Sequence, residues 1–304
     1  MPLMMGHRVM GASFLYSGDI AQGRAHYDLA MAPYDPMQHR ALATRFGVDI
    51  EVAVLPHRSL ALWLLGYPES ALADTDRALK NARKMGQDAT LMFALATSSI
   101  TLINCGKYET ASAQADELTA LADEKSAPLW KAFATMNRGS VLAFTGEASN
   151  ALELITSGIS LFRSTGATGR VSWYLISLAW AYAELGQIED ARRSIEEATI
   201  AVDKTKEKWC EADLNRIAGE IELISSAGDA TKAEACFERA LTVARAQQAK
   251  SRELRAAMSM ARLWRDQGKR DEARELLAPV YGWFTEGFDT RDLKEAKALL
   301  AGLA

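Results

Sequence analysis

Apolar positions recur along this chain at helical spacing, and no alternating strand pattern persists anywhere. The apolar runs fall in two interleaved sets. One set predicts helices near 4–16, 51–65, 88–104, 128–144, 168–185, 207–226 and 251–267. The other predicts helices near 19–32, 68–84, 107–124, 147–164, 188–204, 230–247 and 270–284, and a last helix near 290–302. Paired in order they make seven hairpins, near 4–33, 51–85, 88–125, 128–165, 168–205, 207–247 and 251–285, with a cap over 288–304. The expectation is an all-α solenoid spanning 1–304. Prolines punctuate it: Pro128 stands where a helix should begin, and Pro33 and Pro279 near helix ends. Pro56 falls inside an expected helix, which must start there or kink, and 34–50 is the segment with the weakest pattern.

The runs are locked to a repeat. Gly18, Gly66, Gly106, Gly146, Gly186, Gly228 and Gly268 each close an apolar run, at intervals of 48, 40, 40, 40, 42 and 40 residues. Five positions after each comes a small residue: Gly23, Ala71, Ala111, Ala151, Ala191, Ala233 and Ala273. Seven further on a second small residue follows in Ala30, Ala78, Gly158, Ala198 and Ala240; the phase breaks at Leu118 and Val280. Glycine ends a helix in a left-handed cap at no steric cost, and small residues in the next helix let two backbones approach.

This pattern resembles the tetratricopeptide repeat, best in Gly228, Ala233, Phe237 and Ala240, and again in Tyr182, Gly186, Ala191 and Ala198 and in Gly11, Gly18, Tyr27 and Ala30. The resemblance implies a right-handed α-solenoid of TPR-like hairpins. Several repeats lack the family's early tryptophan and closing proline, and a period near 40 rather than 34 implies helices longer by up to about one turn each. Residues 247–300, above all LLAPVYGWFTEGFDT, are also similar to the C-terminal helical-repeat region of bacterial signalling proteins that carry a class III nucleotide cyclase or DNA-binding domain and an AAA-type ATPase. Stretches such as ALWLLGYPESALAD and YDPMQHRALATRFGVD extend that likeness upstream. It implies a regulatory or sensor module apart from its catalytic partner.

Composition narrows the function classes. Acids and bases are mixed along the chain at a net charge of −4, so no basic run points to nucleic acid. No stretch of about twenty apolar residues offers a membrane span. Cys105, Cys210 and Cys236 are odd in number and far apart, which argues against a disulfide framework or zinc knuckle and fits a reducing cytoplasm. They are expected as buried apolar thiols. His7, His26, His39 and His57 form no metal-ligand pattern and are expected as scattered surface residues. The strings at Gly106-Lys107-Tyr108 and Gly268-Lys269-Arg270 lack the rest of a phosphate loop, and no nucleophile elbow occurs. No metal, cofactor or catalytic residue is therefore expected.

Two stripes lie where tetratricopeptide folds carry a concave groove. Trp173, Ile176, Trp180 and Ala183 share one face of the fifth first helix, either as an aromatic wall for a peptide or ligand or as packing between hairpins. Arg255, Met258, Arg262 and Arg265 share a face of the seventh, either as a grip for an acidic partner or as a solvated face beside Asp266 and Glu253. Three functions follow. They are a module binding a protein or peptide partner, a ligand-sensing regulatory arm of a cyclase or ATPase, and, more remotely, an enzyme on an α-solenoid.

Overall fold

The computed structural model describes residues 2–40, 43–225 and 228–303. Its first hairpin is α1 (Pro2–Ser17) with α2 (Ile20–Met31). Two one-turn helices follow, α3 (Pro36–His39) and α4 (Ala43–Phe46). The next hairpins are α5 (Ile50–Leu64) with α6 (Pro68–Met85), α7 (Asp88–Asn104) with α8 (Tyr108–Glu124), and α9 (Pro128–Thr145) with α10 (Ala148–Ser164). The last three are α11 (Val171–Glu184) with α12 (Ile188–Thr205), α13 (Glu211–Ile224) with α14 (Ala230–Ala246), and α15 (Lys250–Asp266) with α16 (Arg270–Gly282). Helix α17 (Arg291–Gly302) closes the stack, and no strand occurs among the described residues. The result is a right-handed solenoid of helical hairpins. The end expected at 226 for the helix that is now α13, and residue 304 of the cap, lie outside the described residues.

The repeat chemistry does what its spacing implies. All seven repeat glycines have positive φ, from 48° at Gly228 to 96° at Gly18. The paired alanines Ala71, Ala111, Ala151, Ala191, Ala233 and Ala273 are fully buried. At Gly158 the approach is closer still: a Cβ there would lie 2.5 Å from Met136 Cγ and 3.1 Å from the Met136 backbone nitrogen.

The two helices of a hairpin differ in kind. Outer helices such as α6, α12 and α14 bury one stripe and leave a charged face in water. Inner helices α5, α7 and α11 are buried on nearly every side. A helix apolar all round must be covered all round, and here the superhelix winds back upon itself to do it. The turn after α1 meets the sixth hairpin, where the Trp209 N–H donates to Tyr16 O at 3.2 Å. The turn after α5 meets the seventh: Ser251 donates to Trp63 O, and the Trp283 ring packs edge-on against Tyr67. A Cβ on Gly66 would lie 2.5 Å from Trp283 Cζ3, so this repeat glycine also makes room for the seam. Glu286 accepts from the Ser70 N–H at 2.9 Å and its hydroxyl at 3.0 Å, and the Gly287 N–H donates to Glu69 at 2.7 Å. The turn after α7 meets α17, where Arg291 donates to the Tyr108 hydroxyl at 2.8 Å.

Two expectations need correction, those for Pro56 and His57. Pro56 does not start α5: the helix begins at Ile50 behind its Asp49 cap, which leaves the proline inside it. Pro279 lies in the last turn of α16, near a helix end as expected. His57 is no surface residue; it is 9 % exposed, and its Nδ1 donates to Ala53 O at 3.1 Å. Thr290 stands at the N-cap of α17 but its hydroxyl donates back to Gly287 O at 2.6 Å and does not cap the helix. In that helix Leu293, Ala296 and Leu299 are buried against the seventh hairpin.

Candidate functional site

One end of the superhelical axis is open. A cavity of about 280 Å³ is lined by the last turns of α7, α9 and α11, the middle of α13, the first half of α15 and the start of α17. Ile103, Ala143 and Phe144 supply apolar wall, and Trp180 stands over it, partly exposed. The inner helices converge because each ends at its repeat glycine; Gly146 itself lines the cavity.

The charged lining is paired internally. Arg255 donates to Asp292 at 2.8 Å, to Asn104 Oδ1 at 3.1 Å and to Asn104 O at 2.7 Å. Its guanidinium also lies 4.8 Å from the Trp63 ring. Arg291 donates to Glu295 at 2.6 Å, and Glu295 also receives Arg262 at 3.1 Å. Arg216 pairs with Asp213 at 3.1 Å, and Glu220 lies 3.7 Å away. Burial pulls the Arg216 guanidinium down to about 10, with Glu220 opposing, so it stays charged at neutral pH. Glu184 lines the cavity with no ion pair among the described residues.

The candidate residues thus separate. Trp180 and Arg255 come together in this cavity, and Arg262 reaches its rim through Glu295. Trp173 and Ile176 are buried in the core beneath it, Trp173 edge-on to Tyr174 with centroids 5.0 Å apart. Arg265 turns to Asp266 at 2.9 Å. Arg216, Tyr108, Asp292 and Glu295 were not expected as binding residues; all four lie off the two stripes, and only the winding of the superhelix gathers them.

The three cysteines are buried, and burial pushes Cys105 up to about 12 and Cys210 to about 11, so neither is a thiolate at neutral pH. Among the described residues no group of three or more His, Cys, Asp or Glu is placed to hold a metal ion, and no helix is long and apolar enough to cross a membrane.

Comparison with known proteins agrees with this architecture. A family profile for the tetratricopeptide repeat matches residues 172–197 and 254–279, the fifth and seventh hairpins. No curated protein matches significantly. Among solved structures, a Rap protein complexed with Competence and Sporulation Factor superposes with a TM-score of 0.65 at 15 % identity, covering 98 % of this chain and 75 % of that one. The Rap conjugation gene regulator of plasmid pLS20, in complex with the Phr* peptide, gives 0.64 at 11 % identity, covering 98 % and 75 %. The apo quorum sensor NprR from B. thuringiensis gives 0.55 at 16 % identity, covering 86 % and 70 %. At such identities the likeness is one of fold.

Proposed function

We propose that this chain is a non-catalytic regulatory module that binds a peptide or an extended protein segment on the axis of its superhelix, with Trp180 as the anchor. The observation that carries this is the open cavity. It is sited where inner helices converge, it has an aromatic wall, and its polar groups are already fixed in place by one another. Pre-paired charges hold their geometry without a ligand, which lowers the ordering cost of binding. About 280 Å³ suits one or two anchoring side chains, slightly under the range of drug-sized pockets. Two structures of similar fold were solved with a bound factor or peptide, which supports the same reading.

Selection of a random hexapeptide library on the folded protein tests it. Enriched peptides should bind Trp180→Ala at least tenfold more weakly, with thermal stability little changed because Trp180 is partly exposed. Failure to enrich any peptide, or equal binding by the variant, would overturn the proposal.

The finer reading, that the module serves a bacterial nucleotide cyclase or signalling ATPase, is supported by the resemblance of residues 247–300 alone. In that setting the cavity would take a small effector and act as the ligand-sensing arm. A cyclase or ATPase in a neighbouring reading frame favours it.

A further inference from the structure

The open cavity repeats one position of the hairpin along its wall. Asn104, Phe144 and Glu184 each stand two residues before a repeat glycine, Gly106, Gly146 and Gly186, and all three line it. The first of them already holds a cation. Arg255 donates to Asn104 Oδ1 at 3.1 Å and to Asn104 O at 2.7 Å, with its guanidinium 4.8 Å from the centroid of the Trp63 ring. A side-chain oxygen, a helix-end carbonyl and an aromatic face together make a guanidinium site, with Asp292 as its counter-charge at 2.8 Å.

The same parts recur at the third position. The turns after α7 and α11 close with matching bonds. Gly106 donates to Ile103 O at 3.1 Å and Gly186 to Ala183 O at 2.9 Å, while Lys107 donates to Leu102 O at 2.8 Å and Gln187 to Tyr182 O at 2.9 Å. Both turns leave the carbonyl two residues before the glycine outside their bonds. Asn104 O is taken by Arg255, and Glu184 O accepts nothing among the described residues. Glu184 brings a carboxylate where Asn104 has an amide, and Trp180, one helical turn earlier on the same face of α11, brings the ring. The other charges of the cavity are committed: Arg255 to Asp292, Arg291 to Glu295 and Arg216 to Asp213. Of the charged lining, Glu184 alone has no ion pair among the described residues. It also stands at the C-terminus of α11, where the helix dipole disfavours a carboxylate and favours a cation.

We propose that this cavity takes an arginine side chain of the bound segment, its guanidinium lying over Trp180 and paired with the Glu184 carboxylate, as Arg255 lies over Trp63 and is held by Asn104 and Asp292. The inference rests on the reading of the cavity as a peptide site, and it names the residue that the site selects. A planar guanidinium suits the place better than an ammonium, because it stacks on indole and presents a fork to a carboxylate. An acidic side chain would instead meet Glu184 and the carbonyl end of α11, both of its own sign.

Hexapeptides selected from a random library on the full chain, then resynthesised with citrulline in place of arginine, test it by isothermal titration. Citrulline keeps the shape of the side chain and removes its charge. Enriched sequences should carry an arginine at one fixed position, and citrulline there should weaken binding at least tenfold. Glu184→Gln should weaken the arginine peptide at least tenfold and leave the citrulline peptide unchanged. The variant should keep its melting temperature, because Glu184 is exposed and unpaired. Enriched peptides without arginine, equal binding of arginine and citrulline peptides, or an arginine peptide indifferent to Glu184→Gln would overturn the proposal. If those peptides still depend on Trp180, the reading of the cavity as a peptide site stands without it; if no peptide enriches, both fall together. The comparison of arginine with citrulline is made on the unaltered protein, so it holds even if a variant fails to fold.

Discussion

The two ends of the superhelical axis are built from the same residue types and treat charge in opposite ways. At the open end, Arg216, Arg255, Arg262 and Arg291 all meet carboxylates, and the space between them is empty. At the closed end, around the buried His57, Arg8 and Arg170 lie over the Phe93 and Phe133 rings, and neither guanidinium forms an ion pair among the described residues. A paired arginine at a seam holds elements together. An unpaired, partly buried one carries a desolvation cost that no ion pair offsets. The same side chain therefore holds a seam at one end and rests on aromatic faces at the other, and only its partners distinguish the cases.

The largest expected effect breaks the paired side. The Arg252 side chain is fully buried, meets Asp213 in an ion pair, and lies with its guanidinium 4.9 Å from the Trp63 ring. Asp213→Ala would strand Arg252 and leave Arg216 with Glu220 alone, and should cost about 3–5 kcal/mol in chemical denaturation. The hairpins themselves come next. Ala191 is fully buried where α11 meets α12, so Ala191→Leu should cost about 1–3 kcal/mol by overpacking, against under about 0.5 kcal/mol for the exposed Glu196→Leu. Equal melting shifts for these two would refute the assigned repeat phase.

The closed end should announce itself through pH. Burial, with Arg170 and Arg8 adding to it, holds His57 down to about 3. The unfolded chain therefore binds a proton at this position below about pH 6.5 that the folded chain refuses. His57 contributes stability that is full above that pH and is lost as pH falls toward 3. Between pH 7 and 5 the native protein should lose about 2 kcal/mol more than His57→Gln, read from urea denaturation at the two pH values. Parallel losses would show that the imidazole is not held neutral.

The smallest effect sharpens the repeat. At the far end of the hairpins the residues Gly86, Ser126, Gly166, Lys206 and Gln248 all adopt positive φ, from 50° to 81°. They form a second periodic series of left-handed turns. Lys206→Gly should stabilise by about 0.5–1 kcal/mol, because glycine removes the left-handed strain and gives part of it back as chain entropy. A melting point that falls would contradict the assignment.

That second series shows what the residues disclose and what they hide. The first series was legible because all seven members are glycine; the second was not, because three of its five are serine, lysine and glutamine held left-handed by their neighbours. Helix limits followed from apolar spacing, and α7 was expected over 88–104 and found as Asp88–Asn104. Helices α3 and α4 were missed because one turn carries no period. The seam was invisible for a different reason. Its partners, such as Asn104 with Arg255 and Ser70 with Glu286, lie 151 and 216 residues apart, and they meet only because of the superhelical pitch. Of the candidate site, Trp180 and Arg255 were legible as stripe members, while Trp173 and Ile176 followed the same stripe into the core. The closed end offered little signal: Arg8 and His57 share their mostly apolar helices with His7, Glu51 and Arg58, and nothing in the spacing separates His57 from Arg58, which turns to Asp74 and Asp28.

Urea denaturation of Arg8→Gln beside Arg255→Gln tests the contrast between the two ends most directly. Arg255→Gln should lose about 3 kcal/mol or more, because it breaks the contacts to Asp292 and Asn104. Arg8→Gln should lose less than about 0.5 kcal/mol or gain stability, because no paired charge is broken and a desolvated one is removed. Equal losses would contradict this, and would mean that Arg8 is a structural residue like the others.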